Sequence, residues 1–325
     1  MQILPTFKGR HFIPDGTKID FMSLRQVCFW ASIAIMLACA ALFVTVGLNY
    51  GVDFKGGTMV ELRTKDGAAA DIAQLRSTIG DLELGDVQIQ EFGQPSDVLI
   101  RVEQQSGTDD NEAAQQEALK KIQGAVSATY EQRRVEVVGP AVSSELRTTG
   151  VIAVLASIIA IILYIWFRFE WQFAIGAVLA LTHDVLITIG VFVILQLDFD
   201  LSTVAALLTI LGYSVNDTVV ISDRIRENLR KFKKMALPDL LNLSINETLP
   251  RTLMTSGTTL VVLFALYFLG GEVIRNFTFA MLFGVIIGTY SSIFIATPIL
   301  ELLGVKRDWS GLTKGEQAAA GQPAE

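Results

Sequence analysis

Six long apolar segments constrain this chain more than any other feature of its sequence. Each is about 20 residues long with few or no charges, which is the length that an α-helix needs to cross the hydrocarbon layer of a bilayer. A soluble core does not require uninterrupted apolar stretches of this length. The chain is therefore predicted to be an integral membrane protein with an all-α six-helix transmembrane bundle. We place the spans at 27–48, 149–167, 173–195, 201–222, 253–269 and 273–300.

The composition narrows the function classes that remain. A net charge of −7 and a pI of about 5.0 argue against a nucleic-acid partner, because phosphate binding requires a basic face. The two cysteines, Cys28 and Cys39, both lie in the first span, and their spacing suits neither a disulfide framework nor a metal site. The KGGT sequence at 55–58 lacks the upstream glycine of a nucleotide-binding loop. We therefore expect no cofactor, no metal and no ATP hydrolysis.

The basic residues of the short connections predict the orientation in the membrane. Fourteen lysines and arginines lie in segment 1–26, in the turn after the second span, in the loop 223–250 and in the tail 304–325. These regions fall on one side of the six spans, whereas the opposite loops, 196–200 and 270–276, contain only Arg275. Cytoplasmic loops carry the excess of positive charge. Both termini are therefore predicted to be cytoplasmic.

The region 49–148, between the first and second spans, is then predicted to be an extracytoplasmic (periplasmic) domain. Its apolar pattern follows the order β-α-β-β-α-β of a ferredoxin-like α+β unit. The region contains no histidine or cysteine, so we interpret it as a binding or lever domain without catalysis. The predicted strands and helices lie at 58–64, 69–79, 87–92, 98–103, 112–131 and 134–138. The tail 304–325 is predicted to be disordered, because residues 311–325 are rich in Gly, Ala, Gln and Pro.

Charged residues inside the spans are the candidates for function, since a charge within a bilayer is costly. Span three contains His183 and Asp184, and Asp184 lies near the middle of the membrane, about eleven residues from the start of the span at about 1.5 Å per residue. In span four, Asp217 lies roughly 8 Å inside the cytoplasmic edge on the same scale. Span five begins at that edge, and Arg251 can reach upward on its long side chain. Asp217 and Arg251 therefore share a depth.

These residues have two interpretations each. Asp217 and Arg251 form either a proton-coupling pair or a buried ion pair that only fixes the register of two helices. His183 and Asp184 belong either to a proton path or to a pair that satisfies its own hydrogen bonds. In a proton path, a carboxylate in a low dielectric changes its protonation when an arginine moves. Hydrogen bonds for that path would come from Ser214, Asn216, Thr218 and Thr255.

Span six carries small residues at helical spacing. Gly284 and Gly288 lie four residues apart, and Ser291 and Ser292 follow. Small residues at this spacing let membrane helices approach closely. We interpret the two glycines as a helix-packing face.

Several long motifs carry a resemblance to a known family. The chain resembles the SecD/SecF family of the bacterial Sec protein-export machinery, which is related to the resistance-nodulation-division transporters. The resemblance covers about 12–300. The motifs are IPDGT at 13–17, VDFKGGT at 52–58, GPAVSSEL at 139–146, LTHDV at 181–185, GYSVNDTVV at 212–220, DRIREN at 223–228, SINETLPRT at 244–252 and GTYSSIF at 288–294.

The resemblance implies a function that the residues alone do not. It implies an accessory, non-enzymatic subunit that forms a heterodimer with SecD beside the SecYEG channel in the bacterial inner membrane, with YajC and YidC as further partners. Such a unit would use the proton-motive force to promote translocation and release of the polypeptide. The span-four aspartate and span-five arginine that the family links to proton flow correspond here to Asp217 and Arg251.

Other functions compete with this interpretation. A proton-driven half-transporter that exports a lipid or small molecule would need a large apolar pocket in the outer domain. A structural or insertion helper would use the intramembrane charges only to hold helices together. An intramembrane protease is the weakest alternative, because His183 and Asp184 come with no nucleophile and no set of metal ligands.

Overall fold

The computed structural model describes residues 18–85, 87–104 and 111–305. The motif at 13–17 and the predicted disordered tail from 306 onward lie outside the described residues. The elements are, in chain order, α1 (Arg25–Thr45), β1 (Asn49–Tyr50), α2 (Val52–Lys55), β2 (Gly57–Thr64), α3 (Ile72–Gly80), β3 (Val87–Phe92), β4 (Gln94–Val102), α4 (Asn111–Val126), β5 (Tyr130–Val138), α5 (Pro140–Arg168), α6 (Trp171–Leu195), β6 (Asp198–Phe199), α7 (Leu201–Lys231), α8 (Leu237–Leu269), α9 (Arg275–Ser291), a π-helical turn (Ser292–Ala296) and α10 (Thr297–Leu302).

Six helical segments of the described chain are long and apolar enough to cross a membrane. Their number agrees with the six predicted spans. They are Met22–Thr45, Pro140–Arg168, Trp171–Leu195, Leu201–Lys231, Leu237–Leu269 and Arg275–Leu302.

Three of these helices form the interior of the bundle. The most apolar stretch is 56% buried in α6, 50% in α7 and 61% in the α9–α10 segment, against 11% in α1, 11% in α5 and 17% in α8. Small residues permit this close packing. A Cβ atom at Gly284 of α9 would overlap with Ile210 of α7, and one at Gly288 would lie 3.0 Å from the Cβ of Ser214. The helices α1, α5 and α8 surround this interior and expose their apolar side chains.

The helices differ from the predicted spans at their ends. Most of the predicted loop 223–250 is helical, because α7 continues to Lys231 and α8 already begins at Leu237. Helix α5 begins at Pro140, nine residues before the predicted start of its span at 149. Proline is favourable in the first helical turn because it has no N–H to leave unpaired. The charged residues mark where a helix leaves the bilayer and not where the helix ends.

The domain between α1 and α5 contains one four-stranded sheet with two helices on it. The element order β2-α3-β3-β4-α4-β5 is the predicted β-α-β-β-α-β order. All three strand pairs are antiparallel, and the spatial order is β3-β4-β2-β5. The apolar residues that alternate along β2 and β4, such as Val60 and Ile100, pack with Ile79 and Ile122 of the helices. Strand β5 begins at Tyr130, four residues before the predicted start, because its first residues pair with β2 beyond a bulge.

Two short strands join this domain to the membrane helices. Strand β1 follows α1 and pairs in parallel with β6, which lies in the connection between α6 and α7. Asp198 of β6 also forms an ion pair with Arg101 of β4. Phe54 of α2 packs against Phe199 of β6, with 6.0 Å between ring centroids. The domain is therefore attached to the interior helices α6 and α7 as well as to α1 and α5.

Candidate functional site

Asp184 lies midway along α6 at the point where three helices meet. Its side chain is fully buried. Ser214 of α7 and Ser291 of α9 both donate hydrogen bonds to its Oδ2 atom, at 2.6 and 2.8 Å. His183 Nδ1 lies 3.0 Å from its Oδ1 atom. A carboxylate taken out of water requires donors of this kind, so the site satisfies a group that would otherwise be unfavourable in a bilayer.

His183 extends this cluster toward the first helix. Its ring stacks on that of Tyr290, with 5.8 Å between centroids and an interplanar angle of 27°. The Tyr290 hydroxyl lies 3.0 Å from Ser32 Oγ and donates to the carbonyl of Cys28 at 3.1 Å. The Nε2 atom of His183 is buried and has no hydrogen-bond partner among the described residues. The imidazole therefore keeps one nitrogen available for a proton or a water molecule.

The local conformation of α9 explains why its hydroxyls reach the cluster. The absence of a side chain at Gly288 brings the helix close to Ser214 of α7. Directly after Ser291 the backbone widens into the π-helical turn, a distortion that is frequent at functional sites. Ser292 then meets Thr218 of α7, with 2.8 Å between the hydroxyl oxygens.

Asp217 is a second buried carboxylate, one turn beyond Ser214 on α7. It is 3% exposed, and its Oδ2 atom has no hydrogen-bond partner within the described part of the chain. Arg251 of α8 is exposed, and its charge acts on Asp217 through space. The ion pairs of the described residues, those with N···O of at most 4.0 Å, do not include Asp217 and Arg251. The two residues face the same region but are separated in this conformation.

The structure brings together some of the other predicted residues but not all. Thr218 is buried against Ser292, as described above. Asn216 is exposed on the outside of α7. Thr255 donates to the carbonyls of Arg251 and Thr252 of its own helix, at 3.1 and 3.0 Å. Asn216 and Thr255 therefore do not join the hydrogen-bonded cluster around Asp184.

The sequence analysis did not assign Ser291, Tyr290 or Ser32 to the site. The signal for Ser291 is its spacing, because Gly284, Gly288 and Ser291 lie on one face of α9. That face was interpreted only as a packing surface. Nothing in the local sequence indicates Ser32, which reaches the cluster from a helix about 150 residues before α6.

The cluster has the chemistry of proton binding. It contains two carboxylates, one imidazole and several hydroxyls, all of which can accept or donate a proton or orient water. Among the described residues, no group of three or more His, Cys, Asp or Glu side chains is placed to hold a metal ion.

These observations define a class of protein, a multi-pass membrane protein with ionisable groups in the interior of its bundle and one α/β domain between its first two spans. A family model described as "Protein export membrane protein SecD/SecF, C-terminal" matches residues 118–306, and one described as "SecD/SecF GG Motif" matches residues 41–68. The chain belongs to the SecD/SecF family of protein-export membrane proteins, and to its SecF branch. The family expected from the sequence motifs is thereby confirmed.

Individual relatives agree with this assignment. A protein translocase subunit SecF from Rhodobacter capsulatus is 48% identical over 308 residues, which cover 91% of this chain and 92% of that protein. A protein translocase subunit SecDF from Brucella abortus is 44% identical, and the match covers 90% of this chain and 38% of the longer one. The crystal structure of SecDF from Thermus thermophilus, described as a translocon-associated membrane protein, gives a TM-score of 0.78 at 35% identity, and covers 89% of this chain and 39% of that one. The chain is thus a multi-pass protein of the inner membrane that is similar to a whole SecF and to about two fifths of a SecDF.

Proposed function

We propose that this chain is an accessory subunit of the Sec translocase that works with SecD and uses the proton-motive force to promote translocation and release of polypeptides. The observation that carries the proposal is the burial of Asp184 and Asp217 in the interior helices of the bundle. Ionisable groups at such positions are typical of proton relays in pumps and transporters. The chain would have no enzymatic reaction of its own.

Asp217 and Arg251 are the proposed coupling pair. When the guanidinium approaches, its positive charge favours the ionised carboxylate; when the helices separate, burial favours the protonated acid. The present separation of the two side chains, with one oxygen of Asp217 lacking a hydrogen bond, corresponds to the second state. Cycling between the two states would move protons as α7 and α8 move relative to each other. His183, Asp184 and Thr218 would continue the path toward the middle of the membrane.

Motion of these helices would reach the folded domain through the connection between α6 and α7. Asp198 in that connection holds Arg101 of the domain, and its Oδ1 atom accepts a hydrogen bond of 2.8 Å from Asn49 of β1. Leu201, the first residue of α7, donates its N–H to Asp53 at 2.9 Å. We expected this coupling to pass through the first two spans; the contacts favour an additional and shorter route through α6 and α7.

The domain is proposed to be ferredoxin-like and extracytoplasmic. The strand order β3-β4-β2-β5 supports the first part, because a split β-α-β unit places its first and third strands at the centre of the sheet. The excess of lysine and arginine on the other side of the membrane supports the second, and with it the cytoplasmic position of both termini.

SecD is the proposed direct partner. The relative from Brucella abortus is a single SecDF chain of which this chain matches 38%, so the two halves are covalently joined there. A separate SecF-type chain would then associate with a SecD chain to complete the same unit. The SecYEG channel, YajC and YidC are proposed as further partners on the family resemblance.

The experiment that tests the coupling pair is export into membrane vesicles with and without an imposed proton gradient. Asp217→Asn keeps the size of the side chain but cannot ionise, so it is expected to assemble with SecD and to lose the stimulation by the gradient. Arg251→Met is expected to lose it too, because the acid then has no charge to pair with. Asp223→Asn is the matched control, since this carboxylate on the same helix has an exposed side chain and pairs with Arg168 at 3.4 Å.

If Asp217→Asn assembles and still responds to the gradient as the parent does, the pair is structural. The proton path would then run elsewhere, and His183 and Asp184 would be the next residues to change.

A further inference from the structure

An apolar groove of about 230 Å³ lies on the domain side of the bundle, between α1 and α5. Its walls are Phe43 of α1 and Val151 and Leu155 of α5, and Ile189 of α6 forms part of its floor. At its domain end it meets Tyr50, Phe54 and Phe199. Of the described residues that line it, Arg147 is the only charged one.

The groove opens toward the lipid. Its wall residues Phe43, Val151 and Leu155 are 42%, 58% and 54% exposed, although they lie in two of the most apolar helices of the chain. Gly150 lines the groove without a side chain, and a Cβ there would find only ordinary contacts at 3.8–3.9 Å. At about 30 Å³ each, the groove has room for roughly eight groups of the size of a water molecule or a methylene. Such a shape suits one acyl chain.

The domain end of the groove carries positive charge. Arg147, in the second turn of α5, is exposed, and its Nη2 atom donates to the carbonyl of Phe54 at 2.6 Å. This bond holds the guanidinium at the groove and leaves its other N–H groups for an anion. Lys55, the residue after Phe54, is also exposed. A guanidinium beside an ammonium complements a phosphate, and basic residues at this depth attract anionic lipid headgroups.

We propose that this groove binds one anionic phospholipid from the leaflet on the domain side, with an acyl chain between α1 and α5 and the phosphate at Arg147. The lipid would lie against Phe54 and Phe199, which join the domain to the α6–α7 connection, and would stabilise that junction. This site is separate from the buried carboxylates and does not depend on proton coupling.

The test is native mass spectrometry of the purified full chain in a neutral detergent, titrated with phosphatidylglycerol or with phosphatidylcholine. The parent is expected to retain one phosphatidylglycerol about fivefold more tightly than phosphatidylcholine. Gly150→Leu fills the groove and should abolish retention of both lipids. Arg147→Gln should remove the preference for phosphatidylglycerol, and Arg147→Lys should keep most of it. Arg168→Gln, at the other end of α5, is the matched control and should behave like the parent.

The lysine variant guards against misfolding, because a general loss of structure at position 147 would affect both substitutions alike. Equal retention of the two lipids by the parent, or unchanged retention in Arg147→Gln and Gly150→Leu, would overturn the proposal. A photo-crosslinker at Val151 in native membranes should react with lipid. If it reacts instead with a neighbouring protein helix, that helix is the occupant and the lipid site is refuted.

Discussion

The carboxylate of Asp184 receives side chains from two neighbouring helices and from its own. Ser214 and Ser291 share its Oδ2 atom, while His183 takes Oδ1. A hydrogen bond to a charged group contributes about 1.5–3 kcal/mol, and a buried charged group that loses a donor is penalised by at least as much. The three contacts therefore tie the register of α6, α7 and α9 to one residue.

Removal of either serine hydroxyl is expected to destabilise the bundle. Ser291→Ala and Ser214→Ala should each lower the free energy of unfolding by about 1–3 kcal/mol, because Asp184 stays buried with one donor fewer. Thr258→Ala is the control, since its exposed hydroxyl bonds only to carbonyls of its own helix, and a change within about 0.5 kcal/mol is expected. Thermal unfolding of the purified chain in detergent measures the difference. Serine variants that unfold like the control would mean that Asp184 does not hold these helices.

At this scale the sequence predicts which residues matter but not how they meet. A charge within an apolar segment is visible without a structure, and this is how His183, Asp184, Asp217 and Arg251 were found. Asn216 precedes Asp217 directly, yet one residue along a helix is a rotation of about 100°. That rotation exposes Asn216 and buries Asp217. The contact between Ser291 and Asp184 depends on the rotation of two helices about their axes, which no local pattern contains.

At the scale of elements, the pairing of β1 with β6 connects the folded domain to the interior helices. The two strands have two residues each, so their backbone bonds alone would be marginal. Arg101 and Asp198 reinforce them from the main sheet, and both side chains are mostly buried. Breaking one partner of such a pair leaves an uncompensated charge, which costs more than the pair itself contributes.

Single substitutions of this ion pair are expected to loosen the junction, and a charge swap is expected to restore it. Arg101→Asp and Asp198→Arg should each speed hydrogen exchange of the Gly51 amide, which bonds to the carbonyl of Phe199 at 2.9 Å. The double variant should return the exchange rate toward that of the parent. Singles that leave Gly51 protected, or a double variant that is worse than both, would show that the ion pair does not hold the junction.

The Arg63–Asp97 pair within the domain sheet is the control for this experiment. Two N–H groups of Arg63 donate to the Asp97 carboxylate at 2.6 Å each, and this contact lowers the pKa of Asp97 below its usual range. Because the folded state binds the proton less tightly than the unfolded state, the contribution of this pair to stability is present above the unfolded pKa and is lost as the pH falls. Asp97→Asn should remove that acid-sensitive part of the domain stability without freeing Gly51.

Elements with a regular pattern were predictable, and those that depend on distant partners were not. The apolar segments predict six spans, and alternation predicts the β-α-β-β-α-β order. Strands β1 and β6 have no strand pattern, because two residues are too few to show one and their partners lie 149 residues apart in the chain. The ends of α5 and α7 were misplaced since arginine, lysine and glutamate end an apolar segment but are good helix formers.

At the scale of the whole molecule, the orientation in the membrane decides what the domain can touch. The positive charges predict that the domain and the connection between α7 and α8 lie on opposite sides. A cysteine in place of Gln104 should therefore react with an impermeant thiol reagent added outside, and one in place of Lys233 should not. Cys28 and Cys39 lie within α1 in the membrane and should remain unlabelled. Reversed labelling would place the domain in the cytoplasm and remove it from the exported polypeptide.

Proton flux through the assembled unit tests the proposed mechanism most directly. The chain would be reconstituted with SecD in vesicles that contain a pH-sensitive dye, and the rate of acidification inside would be measured after a gradient is imposed. Asp217→Asn and Asp184→Asn are expected to reduce the rate to that of empty vesicles, because neither can carry a proton. Asp223→Asn, with its exposed carboxylate on the same helix, should conduct like the parent. Undiminished flux in Asp217→Asn and Asp184→Asn would contradict a proton path through the buried carboxylates.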